Sequence, residues 1–318
     1  MPLKYFICPD GEWVTTKQCT SSGGCRLKKR CLTQATLLFM AEQREWTGIP
    51  SVTQLLKGTK EMFLLITQDY AEDPDAIAFR LDGTSMHGDL EQNPVEGAII
   101  EERFVTSHGI TGAPDILETE DGWHILTDYK KAGSFKVSKA LGMEEVIEES
   151  KTEVYKQGTW LTINGVKIKK EKGEAKIIKS YKPNFLKREC FDWDMQVNYY
   201  RIGLEEKGKR IDEMRIQALV RDGGTASAQR YGLYKRFYLI PVPHLDNEKV
   251  IEYFLRKRDQ LMQALEQGYW ESACTPDETW NGRKCDKFCS VKTMCEFSPH
   301  YGKKIEEIND EINNGTDE

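Results

Sequence analysis

Two short segments rich in Ile, Leu, Trp, Thr and Tyr, residues 111–120 and 123–130, flank the dipeptide Asp121-Gly122. That arrangement constrains the chain more than any other feature in it. Asp-Gly between two β-prone runs specifies a two-residue hairpin turn, because both turn positions need positive φ. With the turn fixed, Glu120 pairs with Trp123, and counting outward sets Asp115 opposite Asp128. Alternation along a strand puts Lys130 on the face that carries Asp128. Opposed residues have Cβ atoms about 5 Å apart, so two carboxylates and one ammonium share a face. Like charges facing across a strand pair destabilise it. A hard dication with oxygen ligands removes that cost, and the lysine is then suited to orient a water or balance charge on a phosphate. The competing expectation is an ordinary hairpin with two solvated aspartates.

The cysteines are the second constraint. Cys8, Cys19, Cys25 and Cys31 lie in one segment, and Cys274, Cys285, Cys289 and Cys295 in another. Both segments have ten residues between the first two cysteines and five between the last two; only the middle gap differs, five against three. Cys8-Pro9-Asp10-Gly11-Glu12-Trp13 is echoed by Cys274-Thr275-Pro276-Asp277-Glu278-Thr279-Trp280. The pattern reads as a duplicated metal-binding module, with thiolates for zinc or an iron–sulfur cluster. Neither segment has two close Cys-x-x-Cys pairs, so the metal stays open. Cys190, outside both quartets, is expected in the core.

Length and charge bound the function. The chain has 318 residues, 30% charged and 39% apolar, enough for a substantial core. It has no run of about 18 apolar residues and no secretion-signal pattern at its N-terminus. The expectation is therefore a cytoplasmic protein with no membrane partner, whose cysteines serve metal rather than disulfides. A net charge of −6 gives no general attraction to polyanions. Phosphate binding depends on local patches, however, and two basic runs exist. Arg26, Lys28, Lys29 and Arg30 form one; Lys167 and Lys169 open the other, which extends to Arg188. These are the candidate substrate contacts.

Along the chain, Leu32 to Trp46 reads as a helix, and Ser51 as the N-cap of another carrying Val52, Leu55 and Leu56. A third is expected after Asp73-Pro74-Asp75, reaching Glu91, with His87 and Glu91 four apart on one face. Residues 101–105 read as a strand; either Glu101 or Glu102 could assist a metal. Residues 136–150 read as a helix. Residues 151–182 look like an inserted β element, with a hairpin turn at Asn164-Gly165 and a lysine-rich second strand. A helix from Phe191 to Glu206 sets Gln196 and Tyr200 on one face. Strands over 214–221 and 236–242 and a helix over 246–267 follow, the helix with a stripe of Val250, Phe254 and Leu261. The expected organisation is a module over 1–46, a core over 47–268, a second module over 269–300, and an acidic tail over 301–318. The fold class is α/β, a mixed sheet flanked by helices.

Four motifs in this order resemble the PD-(D/E)XK nucleases, most closely the RecB-like branch with its AddB-type, CRISPR-associated and phage exonucleases. Gly83-Thr84-Ser85-Met86-His87 with Leu90-Glu91 looks like the helical histidine motif. Gly112-Ala113-Pro114-Asp115 is similar to the Gly-x-x-Asp motif, and Asp128-Tyr129-Lys130 to the (Asp/Glu)-x-Lys motif. Gln196-x-x-x-Tyr200 resembles the Gln-x-x-x-Tyr motif that lies near substrate in this branch. Together they cover residues 83–200.

The resemblance implies a restriction-endonuclease-like core and a Mg²⁺ or Mn²⁺ ion held by His87, Asp115 and Asp128. Lys130 would position or activate water, and Gln196 and Tyr200 would orient the scissile strand or the lysine. The implied activity is a deoxyribonuclease, an exonuclease on single strands or duplex ends. Recombination or repair proteins would be its partners. A DNA-binding accessory subunit that keeps the fold without the activity is the alternative. Relatives hold a [4Fe–4S] cluster with one N-terminal and three C-terminal cysteines. Cys285, Cys289 and Cys295 resemble that trio, with Cys25 or Cys31 as the fourth ligand. This chain departs from the pattern in owning a full quartet at each end, which makes two zinc sites the simpler reading.

Overall fold

The computed structural model describes residues 3–43, 45–78, 81, 83, 88, 90, 93, 95–163 and 166–303. In chain order come β1 (Leu3–Ile7), β2 (Trp13–Thr15), α1 (Thr16–Thr20), α2 (Gln34–Ala41), α3 (Val52–Leu55), α4 (Thr59–Thr67) and β3 (Tyr70–Glu72). Next are β4 (Ile99–Ile100), β5 (Phe104–Val105), β6 (Thr111–Gly112), β7 (Ile116–Glu120) and β8 (Trp123–Ala132). They are followed by α5 (Ser134–Leu141), β9 (Met143–Val154), β10 (Thr159–Ile163), β11 (Val166–Lys170) and β12 (Ala175–Pro183). Then come α6 (Phe191–Glu206), β13 (Glu213–Val220), α7 (Ala226–Gln229), β14 (Phe237–Pro241) and α8 (Asn247–Gln267). A five-stranded sheet has the order β14-β13-β8-β7-β4, and a smaller one the order β2-β1-β3, with β1 antiparallel to β2 and parallel to β3. The chain is thus a mixed α/β protein, as its element pattern predicts.

It divides into two compact units. One comprises Met1–Asp128, Asp192–Arg215 and Val242–Glu318; the other comprises Tyr129–Phe191 and Ile216–Pro241. The core of the first unit gathers around α6 and α8. From Trp193 to Leu204 every residue of α6 is buried except Asp194, so this helix is core on all sides. Two of its polar interior residues are matched: Asn198 Nδ2 donates to the Asp194 and Pro243 carbonyls at 2.8 and 3.0 Å, and Tyr199 Oη meets Thr106 Oγ1 at 2.9 Å. Asp192 and Asp194 sit in its first turn, where acidic groups favour the helix dipole. On α8 the predicted stripe is buried at Val250, Phe254 and Leu261, each contributing about 1.5–3 kcal/mol. Asp246 caps α8 by accepting from the Lys249 amide. At α3, Ser51 and Gln54 form a reciprocal capping box.

Several element boundaries differ from the sequence reading. The helix expected over 32–46 is shorter, closing at Ala41. Of the strand expected over 101–105 only Phe104–Val105, β5, forms; Glu101 takes φ 47 directly after β4. The strand expected from Thr111 breaks into β6 and β7. The largest correction is at 136–150: α5 ends at Gly142, which takes φ 64, and β9 begins at once. A Cβ on Gly142 would come within 2.1 Å of the Asn184 carbonyl oxygen, so the stop is fixed by both conformation and packing. In that second unit β9 pairs antiparallel with β12, and β10 with β11, Trp160 opposite Lys169. The inserted hairpin is present where expected; its turn residues Asn164 and Gly165 lie outside the described residues. So does most of the expected helix after Asp75, with His87 and Glu91, as well as the tail from residue 304.

Candidate functional site

The hairpin forms in the predicted register. Asp121 and Gly122 take φ 49 and 85, Glu120 pairs with Trp123, and the ladder runs to Ile116 opposite Thr127. Asp115 stands one residue before β7, and its carbonyl accepts from the Glu101 amide at 3.1 Å. Continued one step, the register sets Asp115 across from Asp128. Both are buried, 8% and 2% exposed, so the expectation of two solvated surface aspartates does not hold. Lys130 follows two residues along β8 and is half-buried.

One turn apart on α6, Gln196 and Tyr200 reach this pair. Gln196 Nε2 donates to Asp128 Oδ1 at 3.2 Å and to Tyr200 Oη at 3.0 Å. Burial, followed by the charges of Asp128 and Asp115, pushes the Tyr200 hydroxyl far above its ordinary range. It therefore stays a neutral donor at any working pH. Gln196 thus joins Asp128 to Tyr200 in the first unit, and the hairpin register sets Asp115 beside Asp128. Tyr200 is wedged there by Phe104, edge to face at 6.1 Å between centroids. A Cβ on Gly112 would come within 2.6 Å of Phe104 Cζ and 2.9 Å of the Tyr200 ring. Gly112 therefore lets β6 lie against the tyrosine. The charge of the exposed Arg103 acts weakly the other way on Tyr200; its neighbours Glu101 and Glu102 drew attention in the sequence, and the arginine did not. Glu102 itself turns to Lys207, 3.2 Å away.

The cysteines group by segment. Cys8, Cys19, Cys25 and Cys31 line one cavity, whose rim includes Arg26 and Arg30; Cys274, Cys285, Cys289 and Cys295 line another, with Glu61, Glu278 and Lys284. Burial pushes the thiols of Cys274 and Cys289 up to about 11 and about 12. Cys190 is 3% exposed, the core residue expected. Among the described residues, no three His, Cys, Asp or Glu side chains stand in a geometry that could hold a metal ion.

The basic runs are less available than their sequence suggests. Arg26 pairs with Asp10, and Arg30 donates to the Ser21 carbonyl; Lys28 and Lys29 are exposed. In the second unit the lysines of β12 face glutamates of β9: Lys176–Glu153 at 2.8 Å, Lys179–Glu145 at 2.8 Å and Lys182–Glu148 at 3.0 Å. Lys169 pairs with Glu171 at 2.7 Å, and Lys167 is exposed.

The donor set at the hairpin suits a hard cation. Mg²⁺ is usually bound through one or two carboxylates, its remaining positions going to water and phosphate oxygens. Asp115 and Asp128 supply that minimum, and Gln196 fixes the orientation of the second. His87, the third ligand implied by the resemblance, is outside the described residues. Among these residues no helix is long and apolar enough to cross a membrane. Compared with protein-family models, with curated proteins and with solved structures, the chain matches none.

Proposed function

We propose that this chain is a divalent-metal-dependent nuclease with a restriction-endonuclease-like core, hydrolysing DNA phosphodiester bonds as an exonuclease. The observation that carries the reading is the buried pair Asp115 and Asp128, held against Gln196 and Tyr200. Burying two carboxylates side by side is costly without a compensating cation, and a fold that keeps them has a use for the charge. When bound, Mg²⁺ or Mn²⁺ would lower the pKa of its water and neutralise charge on the phosphate. Asp115 and Asp128 would hold it. Lys130, on the strand face of Asp128, would orient the attacking water or balance the developing charge. Gln196 would fix the Asp128 carboxylate, and the Tyr200 hydroxyl, kept neutral, would donate toward a phosphate oxygen.

The test uses purified protein with end-labelled single-stranded and duplex DNA, in Mg²⁺, in Mn²⁺ and in chelator. Cleavage should require the metal. Asp128→Ala and Lys130→Ala should each lower the rate by at least about 100-fold, the scale of losing one preorganised electrostatic group. Cleavage that survives both substitutions would sink the assignment. Metal-dependent DNA binding without cleavage by the unaltered protein would replace it with the accessory-subunit reading.

A further inference from the structure

We propose that the two cysteine quartets are independent four-thiolate zinc sites, and that the C-terminal one locks the last module onto α4 and α8. The proposal does not rest on the nuclease reading.

The duplication rests on the spacing and on the grouping of the thiols. Each repeated tryptophan meets a ring at a tilt, Trp13 with Tyr5 at 5.6 Å and Trp280 with Phe288 at 5.7 Å, the two rings holding different positions in their modules. Each quartet surrounds its own cavity, and Cys25 and Cys31 line the one without C-terminal cysteines. A single cluster sharing ligands from both segments does not fit that grouping.

In the C-terminal cavity burial and neighbouring carboxylates hold the unmetallated thiols neutral, and backbone N–H groups act against them at three sulfurs. The amides of Val291 and Phe297 donate to Cys289 and Cys295, each two residues back, and the Glu61 amide donates to Cys274. That last donor lies in the first turn of α4, whose dipole favours negative charge. Gly58, preceding α4, makes the approach possible, since a Cβ there would lie 2.2 Å from Cys274 Sγ. Three buried or half-buried ion pairs then fasten the module to the helices. Lys60 Nζ, on α4, reaches Glu296 at 2.7 Å and the Trp270 carbonyl at 2.7 Å. Glu61 receives Lys284, and Lys257, on α8, holds Glu278. Four sulfur ligands select zinc or iron, and closed four-thiolate sites are the structural zinc arrangement. As the side chains stand, no three of these thiols share a ligand geometry, so loading requires changes of χ1, the torsion that swings each Sγ. On binding Zn²⁺ the four thiols release their four protons to solvent.

Elemental analysis of the purified full chain tests this. About two zinc per chain are expected, one for each set of four thiolates. Cys31→Ser and Cys285→Ser should each lose about one, and Cys190→Ser none. The melting temperature should fall further for Cys285→Ser than for Cys31→Ser, since only the former loosens α4 and α8. Should Cys285→Ser fail to fold, the zinc content of the unaltered chain and of Cys31→Ser decides the matter. Iron with broad visible absorbance, a single metal lost from both variants, or no metal at all would overturn the proposal. Equal melting losses in the two cysteine variants would overturn the assigned lock.

Discussion

Gly112 is where a missing side chain does most for the site. Its Cα lies against the rings of Phe104 and Tyr200, and its φ is not positive, so only space demands glycine there. Gly112→Ala should force Phe104 or Tyr200 off its rotamer. The cost of such overpacking is about 1–3 kcal/mol, readable as a lower urea midpoint. Because Tyr200 shares Gln196 with Asp128, the cleavage rate should fall as well at temperatures where the variant is fully folded. An unchanged midpoint would mean that the rings yield freely. The polar members of this site were legible in the sequence. The Asp-Gly turn pins register through positive φ, and the four-residue spacing of Gln196 and Tyr200 pins a helix face. What Gly112 does was not, because its partners come from β5 and α6, and no local pattern announces a contact between distant segments.

Strands and helices were legible where local preference and final environment agree. The helices α6 and α8 and the strands β13 and β14 fall within a few residues of their sequence boundaries. At β9 the two conflict. Met143-Glu144-Glu145-Val146-Ile147-Glu148-Glu149 is good helix-forming sequence, yet it forms a strand whose glutamates face the lysines of β12. Cross-strand ion pairs and a left-handed stop at Gly142 override propensity there, and neither can be weighed until the partner strand is known. At β8 and the approach to β13, a carboxylate ties two segments together. Asp212 accepts from the His124 amide at 2.9 Å and contacts its ring at 3.0 Å, while the Asp212 amide donates back to the His124 carbonyl at 2.8 Å. The His124 amide, with the His124 ring and Arg210, holds the Asp212 carboxyl down to about 2 from its ordinary 3.8. A depressed folded-state pKa stabilises above the unfolded value and loses that contribution as pH falls through the folded one. Asp212→Asn should therefore lower the urea midpoint most at neutral pH, and the deficit should shrink between pH 3.8 and about 2. A deficit constant across that window would show that the charge contributes nothing.

Taken as one charged body, the protein repels the substrate proposed for it, since its formal net charge is −6. Binding DNA then depends on cations that the fold leaves uncommitted. The lysines of β12 are matched by glutamates, and Arg26 is matched by Asp10. Lys28 and Lys29 are different: both are exposed, Lys29 at the N-terminal cysteine cavity, and no ion pair engages them among the described residues. Lys28 takes φ 63, a conformation that costs a non-glycine residue energy and persists only where the surroundings hold it. The cysteine loop thus presents two adjacent exposed ammonium groups on a backbone held at Lys28. Each phosphate contact steepens the dependence of log affinity on log salt by about 0.7 for single strands and 0.9 for duplex. Replacing Lys28 and Lys29 together with alanine should reduce the magnitude of that slope by roughly 1.4 to 1.8. Fluorescence anisotropy with labelled DNA over a range of salt concentrations reads it, in an Asp128→Ala background so that cleavage does not intervene. Metal loading should be unaltered, because neither lysine supplies a sulfur ligand. A slope and affinity identical to those of the parent would remove the N-terminal module from the DNA path and leave the contacts to Lys167 and its neighbours on the inserted hairpin.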